Sequence, residues 1–91
     1  MIKPTIGRVV WYRPNSADPD AQPNAALVCF VHSDTCVNLA VFDANGIPSS
    51  QTSVHLRQSD DEMPPKPYCE WMPYQKGQAA KTEAIEAQQK G

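Results

Sequence analysis

Glycine is scarce, with four in ninety-one residues. None of them falls in a G-x-x-x-x-G-K or G-x-G-x-x-G pattern, the backbone cradles that hold nucleotide phosphates, and no G-x-S-x-G elbow is present. Cysteine is equally sparse: Cys29, Cys36 and Cys69, an odd number with no C-x-x-C spacing. That pattern predicts reduced intracellular thiols rather than a disulfide framework. With only His32 and His55 beside them, the soft ligands are too scattered for structural zinc, which wants closely spaced pairs. On one strand, Cys29 and His32 would point to opposite faces. No apolar run approaches the ~20 residues that a bilayer-spanning helix needs. Positive charge is lacking too. The net charge is −2, whereas general phosphate binders are usually basic. No metal, no cofactor and no membrane association are expected, and free nucleic acid is not favoured as a partner.

Proline is present in excess, nine residues or roughly twice the usual share, which favours short elements joined by stiff loops. Charge is uneven along the chain. Residues 1–13 carry only Lys3, Arg8 and Arg13, whereas residues 14–62 carry six aspartates and one glutamate against Arg57 alone. The opening strand is basic and the loops are acidic.

Five short strands can be read from the pattern. IGRVVWYRP, Ile6 to Pro14, is rich in β-branched and aromatic residues and stops at a proline. PNSADPDAQPN, residues 14–24, consists of turn formers and acids and predicts a long loop. Strand two is AALVCFVH, Ala25 to His32, with Leu27, Cys29 and Val31 expected inward and Phe30 outward. Strand three is CVNLAVFD, Cys36 to Asp43, where Val37, Leu39 and Val41 alternate with Asn38 and Ala40. That period of two predicts a sheet covering a core on one side. By the same parity Phe42 points outward.

The Asn-Gly pair at Asn45–Gly46 predicts a hairpin. Strand four is QTSVHLRQ, Gln51 to Gln58, with Val54 and Leu56 as its apolar members. The last candidate strand, Tyr68 to Met72, would point Cys69 and Trp71 inward and Glu70 outward, and Pro73 would end it. The close, residues 77–91, has strong helix formers but one large apolar residue, Ile85. A helix polar all round has nothing to bury. The expected architecture is therefore all-β: a small five-stranded SH3-like barrel over residues 1–76, then a polar, partly helical or disordered tail over 77–91. The short gap between strands three and four leaves no room for the helix that an OB-fold often carries there.

The segment AALVCFVHSDTCVNLAVFDANGIPSSQTSVHL, with CEWMPYQKGQ and the opening GRVVWYR, resembles a set of short uncharacterised proteins of tailed bacteriophages. The likeness runs roughly from Gly7 to Ala80 and rests on the overall pattern rather than on a catalytic motif. It implies a phage accessory protein acting in the bacterial cytoplasm or carried in the virion, and transfers no catalytic residue.

Catalysis is not expected. Asp60, Asp61 and Glu62 sit in a proline-flanked loop where water screens them, and a barrel this small encloses little. Binding fits better. Small barrels present ligands to an outer face of aromatics between loops, and Tyr12, Phe30, Phe42 and Tyr74 are the candidates. Trp71 is assigned to the core. Arg8, Arg13 and Arg57 are the cations that would meet an anionic partner. The expected function is a non-enzymatic protein-binding module that modulates a host or phage factor. A structural virion component is the first alternative, and a nucleotide or nucleic-acid binder with aromatic stacking the second.

Overall fold

The alternation of Val37, Leu39 and Val41 demands a strand with one face in a core, and a computed structural model of the chain provides it. The structure describes residues 2–16 and 21–78. Five strands, β1 (Val9–Arg13), β2 (Asn24–Ser33), β3 (Cys36–Phe42), β4 (Pro48–Arg57) and β5 (Tyr68–Glu70), close in sequence order into a barrel. The first four form an antiparallel meander. β5 closes it, antiparallel to β1 and parallel to β4. This is the small five-stranded all-β barrel expected. The expected loop is found at residues 14–16 and 21–23, which carry no strand, and the tail beyond residue 78 lies outside the described residues.

The core is one cluster: Val10 and Tyr12 from β1, Ala26 and Val28 from β2, Val37, Leu39 and Val41 from β3, Val54 and Leu56 from β4, with Cys69 and Trp71. Trp71 is 1% exposed and is the largest of the fully buried side chains. Its indole Nε1–H donates to Gln58 Oε1 at 3.1 Å. Gln58 Nε2 in turn donates to the Ile2 carbonyl at 2.8 Å and the Asp34 carbonyl at 2.7 Å. One glutamine thus ties the amino-terminal segment and the β2–β3 turn to the buried indole.

Strand two departs from expectation. Ala26 and Val28 face the core, while Leu27 is half-buried and Cys29 exposed. AALVCFV is apolar at almost every position, so its pattern carries no parity. Pairing decides it, and the register with β3 slips between Val28 and Phe30. The bulge reverses the parity. Phe30 therefore points outward as expected, and Val31 packs against the core although Cys29 does not.

Local chemistry fixes the turns. Asp43 Oδ1 accepts the backbone N–H groups of Asn45 and Ile47, each at 2.9 Å, and Gly46 takes φ 81°. Glycine supplies that left-handed conformation without a Cβ clash. β5 ends at Glu70, and a short helix spans residues 73–78, starting at the proline expected to end the strand. Pro73 suits the first helical position. Gln75 Oε1 accepts the Met72 N–H at 2.8 Å in the manner of a capping box, and Gln75 Nε2 donates to the Val9 carbonyl at 2.8 Å, pinning the helix to β1. No helix among the described residues is long and apolar enough to cross a membrane.

Candidate functional site

The outward side chains of the meander are as ordered as the inward ones. Register places Val9, Leu27, Ala40 and Ser50 in one row across β1 to β4, and Trp11, Ala25, Phe42 and Pro48 in the next. Directly opposed side chains on one face of a sheet lie about 5 Å apart and pack together. Trp11, Leu27, Ala40 and Phe42 are half-buried in these rows, and Val9 stays 43% exposed. The sheet thus carries apolar rows on its outer side as well as its inner one.

Beyond these rows lies Phe30, 51% exposed, its ring edge-on to His32 at 4.9 Å between centroids. It stands opposite Asn38. Phe30 and Phe42 do not form a pair: four residues of β3 separate Asn38 from Phe42, about 13 Å at ~3.3 Å per residue. Between them the surface opens into a groove of about 460 Å³, lined by Cys29, Phe30, Asn38, Ala40, Pro48 and the serine and threonine side of β4. Asn38 braces its end. Its Oδ1 accepts the Ser53 N–H at 2.8 Å and lies 2.9 Å from His32 Nε2. Ser53 itself holds φ 53°, a left-handed bulge where the β3–β4 register slips.

The other candidate side chains fall elsewhere. Tyr12 is a correction: it is 6% exposed and belongs to the core, because β1 turns Val10 and Tyr12 inward and Val9, Trp11 and Arg13 outward. Burial raises its phenol pKa, with Cys69 adding to the shift. Tyr74 is 74% exposed on the short helix that Gln75 ties to β1, and it does not line the groove. Arg13 is engaged internally. Its Nε donates to Glu70 Oε2 at 3.0 Å, and its guanidinium lies 5.7 Å from the Trp11 ring. Arg57 donates to the carbonyls of Ser59 and Asp60 at 3.1 and 2.6 Å. Arg8 is exposed in the turn before β1. Arg13 and Arg57 are thus held by acceptors of the chain itself, on strands that flank Glu70.

Titratable chemistry gathers at a second place. His55 Nε2 lies 2.9 Å from Glu62 Oε1, and this hydrogen bond holds the Glu62 carboxyl below its ordinary pKa. Cys36 is the register partner of His55 on β3, yet the imidazole is turned to Glu62. The pair lines an open hollow with Met63, Pro64, Pro65 and Pro67. Lys76 Nζ and Asp60 Oδ1, 2.9 Å apart, clip the short helix to the same loop, and the Lys76 hydrogen bond lowers the Asp60 pKa. Cys69 is the opposite case. Burial pushes its thiol up to about 12, so it stays protonated and unreactive. Among the described residues no group of three or more His, Cys, Asp or Glu side chains is placed to hold a metal ion.

Sequence reasoning missed Asn38 as a brace and Ser50 and Thr52 as groove wall. An asparagine amid alternating hydrophobics signalled only an outward position; its partners across the bulge come from the fold. Compared with family models, with curated proteins and with solved structures, the chain matches none of them.

Proposed function

We propose that this barrel is a non-enzymatic protein-binding module whose contact surface is the outer face of β1 to β4. The observation that carries the reading is the double-sided sheet: two apolar rows, Val9–Leu27–Ala40 and Trp11–Ala25–Phe42–Pro48, face outward beside an exposed Phe30 and an open groove. Contiguous outward apolar surface of this kind marks interaction sites on small proteins. An aromatic beside a groove is the anchor geometry that dominates interface energetics. The resemblance to short tailed-phage proteins supplies the setting, with a phage or bacterial-host protein as the partner.

The test is a paired capture from bacterial lysate. The full chain and its Phe30→Glu variant serve as baits, with both folds checked by circular dichroism. A partner retained by the first and lost by the second is the expected outcome. Identical profiles from the two baits would sink the proposal.

A further inference from the structure

β5 pairs with β4 only at Leu56 and Arg57. The stretch of β4 from Pro48 to His55 therefore has β3 on one side and no strand on the other among the described residues. The proline-rich segment closes over part of that open side: Ser53 and His55 line one hollow with Glu62, Met63 and Pro64. Among the described residues, Pro48 to Thr52 pairs with no strand on that side.

Which backbone groups point outward from this edge follows from the hairpin. The Asp43 N–H donates to the Ile47 carbonyl at 3.0 Å, which puts the two at a hydrogen-bonded position of the ladder, although the Ile47 N–H returns to Asp43 Oδ1 rather than to its carbonyl. Antiparallel pairs alternate, which makes Val41–Ser49 and Leu39–Gln51 the next bonded pairs on the β3 side. The N–H and C=O groups of Ser50 and Thr52, with the Pro48 carbonyl, then face the open side. Pro48 has no donor to leave unpaired, and the bulge at Ser53 turns its N–H back to Asn38. The open edge is thus blunted at both ends. Its middle carries no charged residue to repel an incoming strand.

We infer that this edge accepts an extended peptide segment of the partner as an added strand, with alternate apolar side chains seated in the groove of Phe30, Ala40 and Pro48 and basic residues at its ends. The inference rests on the binding-module reading and names how that module grips. The groove adjoins the edge: Pro48, Ser50 and Thr52 belong to both. Backbone pairing then gives affinity and the groove selects alternate side chains. The surroundings select charge. From Asp34 to Leu56 the chain carries Asp34 and Asp43 and no lysine or arginine, and Glu62 stands at the far end beside His55. A second copy of this chain is a poorer fit. Its β4 would bring serine and threonine hydroxyls, not alternate apolar side chains, to the groove.

The experiment uses the full chain against a synthetic array of short peptides. Each carries valine, isoleucine, leucine or phenylalanine at every second position, threonine between and lysine at both ends. Control arrays shuffle the same residues so that the apolar ones are consecutive, or replace lysine with glutamate. The best binder is then followed by residue-resolved amide hydrogen exchange.

The expected result is retention of the alternating, lysine-ended set. Exchange at Ser50 and Thr52 slows at least about tenfold on binding, while Ser49 and Gln51 are already protected in the free protein. Ser50→Pro, which removes one outward donor from an edge position, weakens binding about tenfold. Ala40→Asp, placed in the groove, is the second variant and weakens it through the side-chain pocket instead. Failure of every alternating peptide to bind overturns the inference. So does binding that leaves Ser50 and Thr52 unslowed; if it shifts Val9, Trp11 and Phe42 instead, the outer-face module survives and the added strand does not. Protection of Ser50 and Thr52 in the protein alone, lost on dilution, would assign the edge to a second copy.

Discussion

The inner and outer faces of the same four strands both carry apolar rows, yet they differ in how they are closed. On the inner face every apolar side chain meets others from across the barrel, and Trp71 and Gln58 seal the end. On the outer face the rows pack only sideways, and Phe30 and Val9 remain half in water. Hydrophobic burial is proportional to area removed from water, so the inner face carries the fold, and the outer face contributes less to it and is the surface proposed above for binding. A substitution inside should therefore cost stability, and one outside should cost binding.

The sharpest break of that contrast is Trp71→Ala. Emptying the space of the largest buried side chain is expected to cost about 3–5 kcal/mol, read as a shift of the urea midpoint followed by circular dichroism. Gln58→Leu comes next, at about 1–3 kcal/mol. It leaves the indole N–H and the carbonyls of Ile2 and Asp34 without their shared partner.

Cys69 sharpens the comparison through pH. Its folded pKa of about 12 lies above the ordinary thiol value, so the folded state keeps its proton where the unfolded chain has lost it. The sign follows: the contribution is fully present below about pH 8.5 and is lost as pH rises toward 12, at up to about 1.4 kcal/mol per pH unit. Urea midpoints at pH 8, 9 and 10 should fall accordingly. Cys69→Ala should flatten the decline, and an unchanged slope in the variant would show that the alkaline loss has another origin. Cys29, exposed in its bulge, should meanwhile react with a thiol reagent in the native protein when Cys69 does not.

Ser53→Gly is a smaller, stabilising change of roughly 0.5–1 kcal/mol. Glycine relieves the left-handed φ of 53°, and the Ser53 N–H that bonds Asn38 is kept. Last is Phe30→Ser, expected within about 0.5 kcal/mol of the parent in stability because its ring is half exposed. It should abolish partner capture all the same. If it unfolded the protein instead, the separation of the two faces would collapse.

How far the sequence revealed this arrangement varies by element. Strand three was legible in full, because Asn38 and Ala40 interrupt its hydrophobics at every second position and only one face can then be inside. Strand two was legible as a strand but not in parity, since a run without polar residues fits either face. Tyr12 was read as a surface aromatic for a similar reason: VVWY offers no polar residue to mark the outward side. The turn at Gly46 was written locally by Asp43, Asn45 and the glycine. The helix after Pro73 was not foreseen, because its cap, the Gln75 side chain, matters only once Met72 has been delivered to the end of β5.

Sequence alone determined the strand count, the hairpin between β3 and β4 and the burial of Trp71, since these rest on periodicity, turn stereochemistry and the size of one side chain. Tertiary structure alone decided which residues of β2 face inward, where the open edge of β4 lies and which side chains line the groove. Those depend on register, bulges and the parallel closure by β5. These are long-range pairings, and a one-residue slip would have reversed them without altering any local preference.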